Sequence, residues 1–229
     1  MMLGSKAIRE AINDQRLFIY PSPGAKAFGS NSIDLSIGPF VWRYARPRTS
    51  VSLLRDNTQQ FVFEDYRDIA LIIVAPGESI LAHTNEACGG TGIPVEGKPH
   101  LTTKMAATST TGRRDITVCR CAGLGDVGFV TPWTMELHNS TKANVEIPVG
   151  AIVAQIEVHE VRGEVDRYHV NSGSYQSTSP DSIDDCLELF AKWTPLMMLP
   201  RKQKVQPQTH WRNLWSHIAM PDDARLQRR

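Results

Sequence analysis

The sequence predicts a mainly β chain, a sandwich or barrel of short strands, with a short helix ahead of it and a helical extension behind. Three observations carry this. To about residue 170, apolar and polar residues alternate in short runs, the two-residue period of a strand with one buried face. Glycine and proline punctuate those runs, with 16 Gly and 14 Pro in 229 residues, which suits hairpins and corners better than βαβ crossovers. The helical period shows only towards the two ends.

Taken in order, Ser5 to Gln15 reads as a helix, capped by Ser5 and with Ile8, Ala11 and Ile12 at helical spacing. Pro21-Ser22-Pro23-Gly24 breaks it. Ile33 to Ile37 alternates and stops at Gly38, while Ile69 to Val74 is a continuous apolar run closed by Pro76-Gly77. Trp133, Met135 and Leu137 fall on one face of a strand, leaving Thr134, Glu136 and His138 on the other. Ile152, Ala154, Ile156 and Val158 alternate with Val153, Gln155, Glu157 and His159. Behind a Ser- and Asp-rich start, Asp181 to Trp193 carries Ile183, Leu187, Leu189 and Phe190 and is expected to be a helix. Beyond Pro200, seven Lys or Arg stand against two Asp, a charge run of the kind that sits in solvent. The expected division is a β domain over 1–178 and an extension over 179–229, helical and then basic, with no internal repeat.

A hydrophobic content of 41% with 21% charged residues is ordinary globular composition and argues against wholesale disorder. The formal charge of +1 leaves no global field for nucleic acid or an anionic membrane surface. No apolar run approaches the roughly 20 residues of a membrane-spanning helix. Cys88, Cys119, Cys121 and Cys186 form no paired framework and the opening residues do not read as a signal peptide, so a reducing cytoplasm is expected.

Glu136 lies mid-strand between hydrophobic neighbours, where a carboxylate is partly desolvated and its proton affinity rises. Such a group can move protons without a metal. Position alone does not separate it from an ordinary solvent-face glutamate. In Ser109-Thr110-Thr111-Gly112-Arg113, one helical turn would put Ser109 and Arg113 on one face, where hydroxyl and guanidinium converge on one anion or one water.

Ser32 to Gly38, Pro76 to Glu86, Thr108 to Arg113, Gly125 to Phe129, Thr134 to Asn139 and Pro148 to Gln155 are six stretches whose order along the chain resembles that in one family, the dCTP deaminases of the dCTP deaminase/dUTPase superfamily. Ser32-Ile33-Asp34-Leu35-Ser36-Ile37-Gly38 resembles its Ser-Ile-Asp-Leu-x-Leu-Gly. Pro76-Gly77-Glu78 through Glu86 is similar to its Pro-Gly-Glu-x-x-Leu-Ala-x-Thr-x-Glu. Thr108 to Arg113 resembles Arg-Ser-Ser-Leu-Gly/Ala-Arg, and Gly125 to Phe129 resembles Ile-Asp-Pro-Gly-Trp/Phe. Thr134 to Asn139 resembles the Leu-Glu-x-x-Asn strand, and Pro148 to Gln155 the Pro-Gly-x-x-Ile-x-Gln stretch. The likeness covers about residues 3 to 178.

The resemblance implies a distorted jelly-roll or β-barrel of the dUTPase-like type, assembled as a homotrimer with nucleotide sites between subunits. It implies hydrolytic deamination of a deoxycytidine nucleotide, first of all dCTP, with Glu136 as general base and acid and with Ser109 and Arg113 orienting the water and the glutamate. Asp126, Thr110, Ala122, Tyr168, Tyr175 and Gln176 would contact the nucleotide. Magnesium would arrive with the phosphates. No zinc is expected: the H-x-E and P-C-x-x-C signature of zinc deaminases is absent, and Cys119 and Cys121 read as buried strand cysteines.

This chain departs from the pattern at the phosphates. Thr108 replaces the leading arginine, and Ser174-Tyr175-Gln176-Ser177-Thr178 lacks the family's lysine and second glutamine. Lys104, Arg114, Arg120 or the basic tail are the candidate replacements. Three readings follow: deamination; dUTP pyrophosphate hydrolysis alone or with deamination, which Asp126 keeps open; and nucleotide binding without catalysis. Glu136 favours the first, because related dUTPases carry an apolar residue there. His83 and His138 read as structural, and Trp211 and Trp215 as one face of a tail helix docked on the same assembly.

Overall fold

The computed structural model describes residues 1–45, 51, 58–120, 122–166 and 198–200. The chain opens with helix α1 (Ser5–Asn13), whose Ile8 and Ala11 are fully buried as the spacing predicts. Ser5 is not its cap. Gly4 holds that position in extended backbone, and the Ser5 N–H is satisfied by the Ser30 carbonyl at 2.8 Å. A tertiary bond thus replaces the local side-chain cap.

Strands then follow almost without interruption: β1 (Leu17–Tyr20), β2 (Ser32–Ser36), β3 (Phe40–Tyr44), β4 (Phe61–Asp65), β5 (Leu71–Val74), β6 (Ser79–Gly90) and β7 (Leu101–Ala107). A single helical turn, α2 (Ser109–Gly112), separates these from β8 (Ile116–Thr117), β9 (Leu124–Gly125), β10 (Thr131–Asn139), β11 (Val145–Pro148) and β12 (Ile152–Glu160). All their pairings are antiparallel. One sheet runs β4-β3-β6-β10-β8 with β1 also on β6; a second runs β2-β12-β7-β9; β11 and β5 form a third. The expected mainly β fold is present, and among the described residues its sheets do not close into one continuous barrel.

The core lies between the first two sheets. It takes Ile33, Leu35 and Ile37 from β2 and its end, Trp133, Met135 and Leu137 from β10, and Ile156 and Val158 from β12. The predicted alternation of β10 is therefore real. That of β12 holds only from Ala154 onward. A register shift between Ile152 and Ala154 turns Val153 inward and leaves Ile152 exposed, the expected effect of a bulge on side-chain direction. The run from Ile69 becomes a strand only at Leu71, and Ile73 points to the exposed face.

Several stretches that carry the family resemblance bind the sheets together. The Glu86 carboxylate accepts from the Ser36 N–H at 2.8 Å and the Ser36 hydroxyl at 2.7 Å. The Thr84 hydroxyl accepts from the Trp133 N–H at 2.8 Å and donates to the Glu86 carbonyl at 2.6 Å. At Gly38 a Cβ would stand 2.1 Å from the His83 ring, so only glycine fits there. Met198, a described fragment of the C-terminal extension, is buried against Phe61 and Leu81. The boundary at residue 178, the helix expected over 181–193, Trp211 and Trp215 lie outside the described residues. No helix among the described residues is long and apolar enough to cross a membrane.

Candidate active site

β10 delivers Glu136. Its neighbours Met135 and Leu137 point into the core, so the strand period turns Glu136 to the opposite face, directly across from Leu81 of β6. The carboxyl is half-buried, and its Oε2 atom is fully buried with no hydrogen-bond partner among the described residues. Burial pushes the group above the ordinary glutamate value, while its own backbone N–H and the Arg120 guanidinium pull it down. A buried, unpartnered oxygen is costly unless a ligand or water meets it.

α2 presents the second expected pair. Thr108 caps it: its Oγ1 accepts from the Thr111 N–H at 3.2 Å and lies 2.8 Å from the Thr111 hydroxyl. The Arg113 N–H closes the turn on the Ser109 carbonyl at 3.0 Å. Ser109 and Arg113 therefore share one turn, as the spacing predicts, and both are exposed. Thr110 is exposed too, and its carbonyl accepts from Arg114 Nη1 at 3.0 Å.

The loop after β8 and the turn after β9 carry the remaining described candidates. Ala122 is exposed and its N–H bonds the Cys119 carbonyl at 2.6 Å. Asp126 is exposed at the head of a turn closed by the Phe129 N–H on the Asp126 carbonyl at 2.9 Å. Gly128 in that turn has φ +86, which glycine adopts without steric cost. A cleft of about 340 Å³ opens between this loop and β7, lined by Lys104, Met105, Ala106, Val118, Cys119 and Arg120 among others. Two of the cations considered as phosphate contacts, Lys104 and Arg120, thus border the same cleft. Burial and the charge of Glu136 push the Cys119 thiol up to about 12, which ties the cleft wall to the glutamate and makes Cys119 a poor thiolate ligand.

Within one chain Glu136, Ser109 and Arg113 are not joined. Among the described residues no hydrogen bond or ion pair links the glutamate to either, and α2 rests on β7, β8 and β12 while Glu136 faces β6. Tyr168, Tyr175 and Gln176 lie outside the described residues. His83 and His138, read from the sequence as structural, are both hydrogen-bonded within the fold. His83 is buried and held down at about 4 by desolvation, taking the Phe40 N–H on Nε2 at 3.2 Å. His138 Nδ1 meets the Ser79 hydroxyl at 3.0 Å. Neither Ser79 nor its bond to Arg120 was legible in the sequence, because the β6–β10 register and the loop after β8 together bring them into contact.

The family model described as dCTP deaminase-like matches residues 2–161. A protein named "dCTP deaminase, dUMP-forming" from Dictyoglomus turgidum is 26% identical over 200 residues, covering 82% of this chain and 98% of its own. Another of that name from Clostridium botulinum (strain Alaska E43 / Type E3) is 32% identical over 180 residues, covering 78% and 92%. Among solved structures, 2'-deoxycytidine 5'-triphosphate deaminase from Agrobacterium tumefaciens superposes with a TM-score of 0.52 at 16% identity, covering 69% of this chain and 48% of that one. That likeness bears on the fold. With the ordered motifs, the β architecture and the family match over most of its length in agreement, this chain belongs to the dCTP deaminase-like family.

Proposed function

We propose that the chain deaminates a deoxycytidine nucleotide, most directly dCTP, to the deoxyuridine nucleotide and ammonia, with Glu136 as the proton-transferring group. The family is one of hydrolases acting on C–N bonds. The observation that carries the residue assignment is the buried Oε2 of Glu136, without a hydrogen-bond partner among the described residues, on a carboxyl whose charge acts on Cys119 and Arg120 of the cleft wall. In the reaction, the Glu136 carboxylate takes a proton from water as its oxygen adds to C4 of the base. That proton passes to the ring nitrogen; Glu136 then moves the proton of the new C4 hydroxyl to the amine, the C4–N bond breaks, and ammonia leaves with a carbonyl at C4. Ser109 and Arg113 would hold the water and steady the developing charge.

Because no hydrogen bond or ion pair joins those two to Glu136 among the described residues of one chain, we assign them to a neighbouring copy, in line with the expected homotrimer. Thr110, Ala122 and Asp126 would then border the nucleotide, with Tyr168, Tyr175 and Gln176 contributed from the region beyond β12. Magnesium belongs to the substrate in this scheme and would neutralise phosphate charge. Among the described residues no three His, Cys, Asp or Glu side chains converge into a cage of their own. We place the enzyme in the cytoplasm, with no zinc in its chemistry.

A second reading is supported by the name of the D. turgidum and C. botulinum relatives, which specifies dUMP as product. Asp126, exposed on its turn, is the residue on which a phosphorus-directed water would depend. The test is one product assay with dCTP, dCMP and dUTP plus magnesium. Ammonia from dCTP, lost in Glu136→Gln with the fold intact, is the expected result. Pyrophosphate alongside ammonia establishes the dUMP-forming activity. Ammonia release undiminished in Glu136→Gln rejects the role given to that residue, and pyrophosphate from dUTP without any ammonia rejects deamination.

A further inference from the structure

In the β6–β10 pair, Ser79 stands opposite His138 and Leu81 opposite Glu136, so Ser79, His138 and Glu136 share one face. Arg120 reaches this face from the loop after β8. Cys119 and Arg120 there both take left-handed backbone, with φ 60 and 34, a conformation non-glycine residues adopt only when surroundings hold them in it. The Arg120 Nη2 donates to Ser79 Oγ at 2.9 Å, and that hydroxyl also meets His138 Nδ1 at 3.0 Å. The guanidinium is therefore anchored beside the glutamate but not on it. No ion pair within 4.0 Å joins the two, and Glu136 Oε2 stays open.

We propose that Arg120, clamped by Ser79 and His138, is a positioning residue for the general base: it lays a fixed positive charge near Glu136 while leaving the carboxylate free for water and substrate. This rests on the acid–base role assigned to Glu136 above. An arginine without the clamp would close on the carboxylate as a direct ion pair and occupy the oxygen that the reaction needs. Within one chain Arg120 is the cation whose charge acts on the carboxyl, while Lys104 borders the cleft and Arg113 is assigned to a neighbouring copy; the titratable groups on the strands beside Glu136 do not supply this charge. The Cys119 thiol, pushed up to about 12, is uncharged at neutral pH. His83 on β6, held down at about 4, is neutral, and His138 on β10 is engaged by Ser79. β3 brings only Trp42 opposite Leu81, and β8 brings Thr117 opposite His138. Arg120 thus opposes the desolvation that otherwise keeps Glu136 protonated.

The experiment has two readouts. One is the pH dependence of kcat/KM for ammonia release; the other is the titration of the Glu136 carboxyl by ¹³C NMR, identified by its loss in Glu136→Gln. Arg120→Ala is expected to move the acid limb and the titration upward together, by about half a unit or more given the exposure of the guanidinium. Arg120→Lys, which keeps the charge, is expected to restore most of the shift. Ser79→Ala frees the guanidinium to pair with the carboxylate, so Glu136 is expected to titrate below wild type. Titrations unmoved in Arg120→Ala overturn the proposal. So does a raised KM with an unmoved acid limb, which makes Arg120 a substrate contact. If wild type releases no ammonia, the functional reading falls, while the NMR titration still judges the Arg120–Glu136 relationship by itself.

Discussion

Glu136 faces Leu81 across the β6–β10 pair, and Leu81 is itself buried against Phe61 and Met198. An apolar partner of this kind excludes water from one side of the carboxyl and raises its pKa. A general base must be ionised, so kcat/KM is expected to fall as pH drops through that raised value, above the ordinary glutamate range near about 4.3. Leu81→Asn, which hydrates the site, is expected to move this acid limb downward. A pH–rate profile of the two proteins checks it.

The same burial makes Glu136 a stability cost with a defined sign. A carboxyl raised in the folded state holds its proton more tightly there than in the unfolded chain. The penalty is absent below the unfolded value and is fully present above the raised folded value. Glu136→Gln is therefore expected to melt higher than wild type, with a difference that grows as pH rises through this window. In a chain of this size each kcal/mol recovered is worth roughly 2–4 °C. Thermal melts of both proteins across pH 4 to 8 measure it, and equal melting temperatures throughout would contradict the burial argument.

Thr108 occupies a position where the family has arginine and spends its hydroxyl on the cap of α2. Thr108→Ala should cost about 1 kcal/mol of stability and reduce turnover further by loosening Ser109 and Arg113. Thr108→Arg should lose the cap in the same way. Melting temperature and kcat of the two variants test this, and an unchanged melt for both would show that the cap contributes nothing.

Asn139, buried at the end of β10, donates to the Val74 carbonyl at 2.9 Å and the Ala143 carbonyl at 2.8 Å. It also accepts from the Thr141 N–H at 2.9 Å and the Thr141 hydroxyl at 2.7 Å. Asn139→Ala leaves several of these groups without partners, at about 1–3 kcal/mol for each one that stays buried. Urea unfolding should show a loss of at least about 2 kcal/mol, with no separate effect on the pH profile.

Cys88 and Cys119 are free and buried, and burial raises both thiols far above neutral pH. Neither is expected to react with iodoacetamide at pH 7.5 in the folded protein, and both should react in urea. Peptide mass mapping before and after denaturation distinguishes the two states.

The sequence by itself determined which way β10 faces, that Ser109 and Arg113 share a helical turn, and that the chain is a β fold of this family. These are local matters: a strand's period is set by its own backbone, and a helical turn needs only four successive peptide units. The Ser5 cap and the inward side of Val153 were not decided locally. A carbonyl from Ser30 took the first, and a bulge against β2 reversed the second. The surroundings of Glu136 belong entirely to the tertiary structure. Arg120 and Ser79 are 41 residues apart in sequence, and nothing in either residue's neighbours specifies their meeting. It follows from the register of β10 on β6 and from the left-handed loop after β8, and such registers are set by the burial of whole strand faces together.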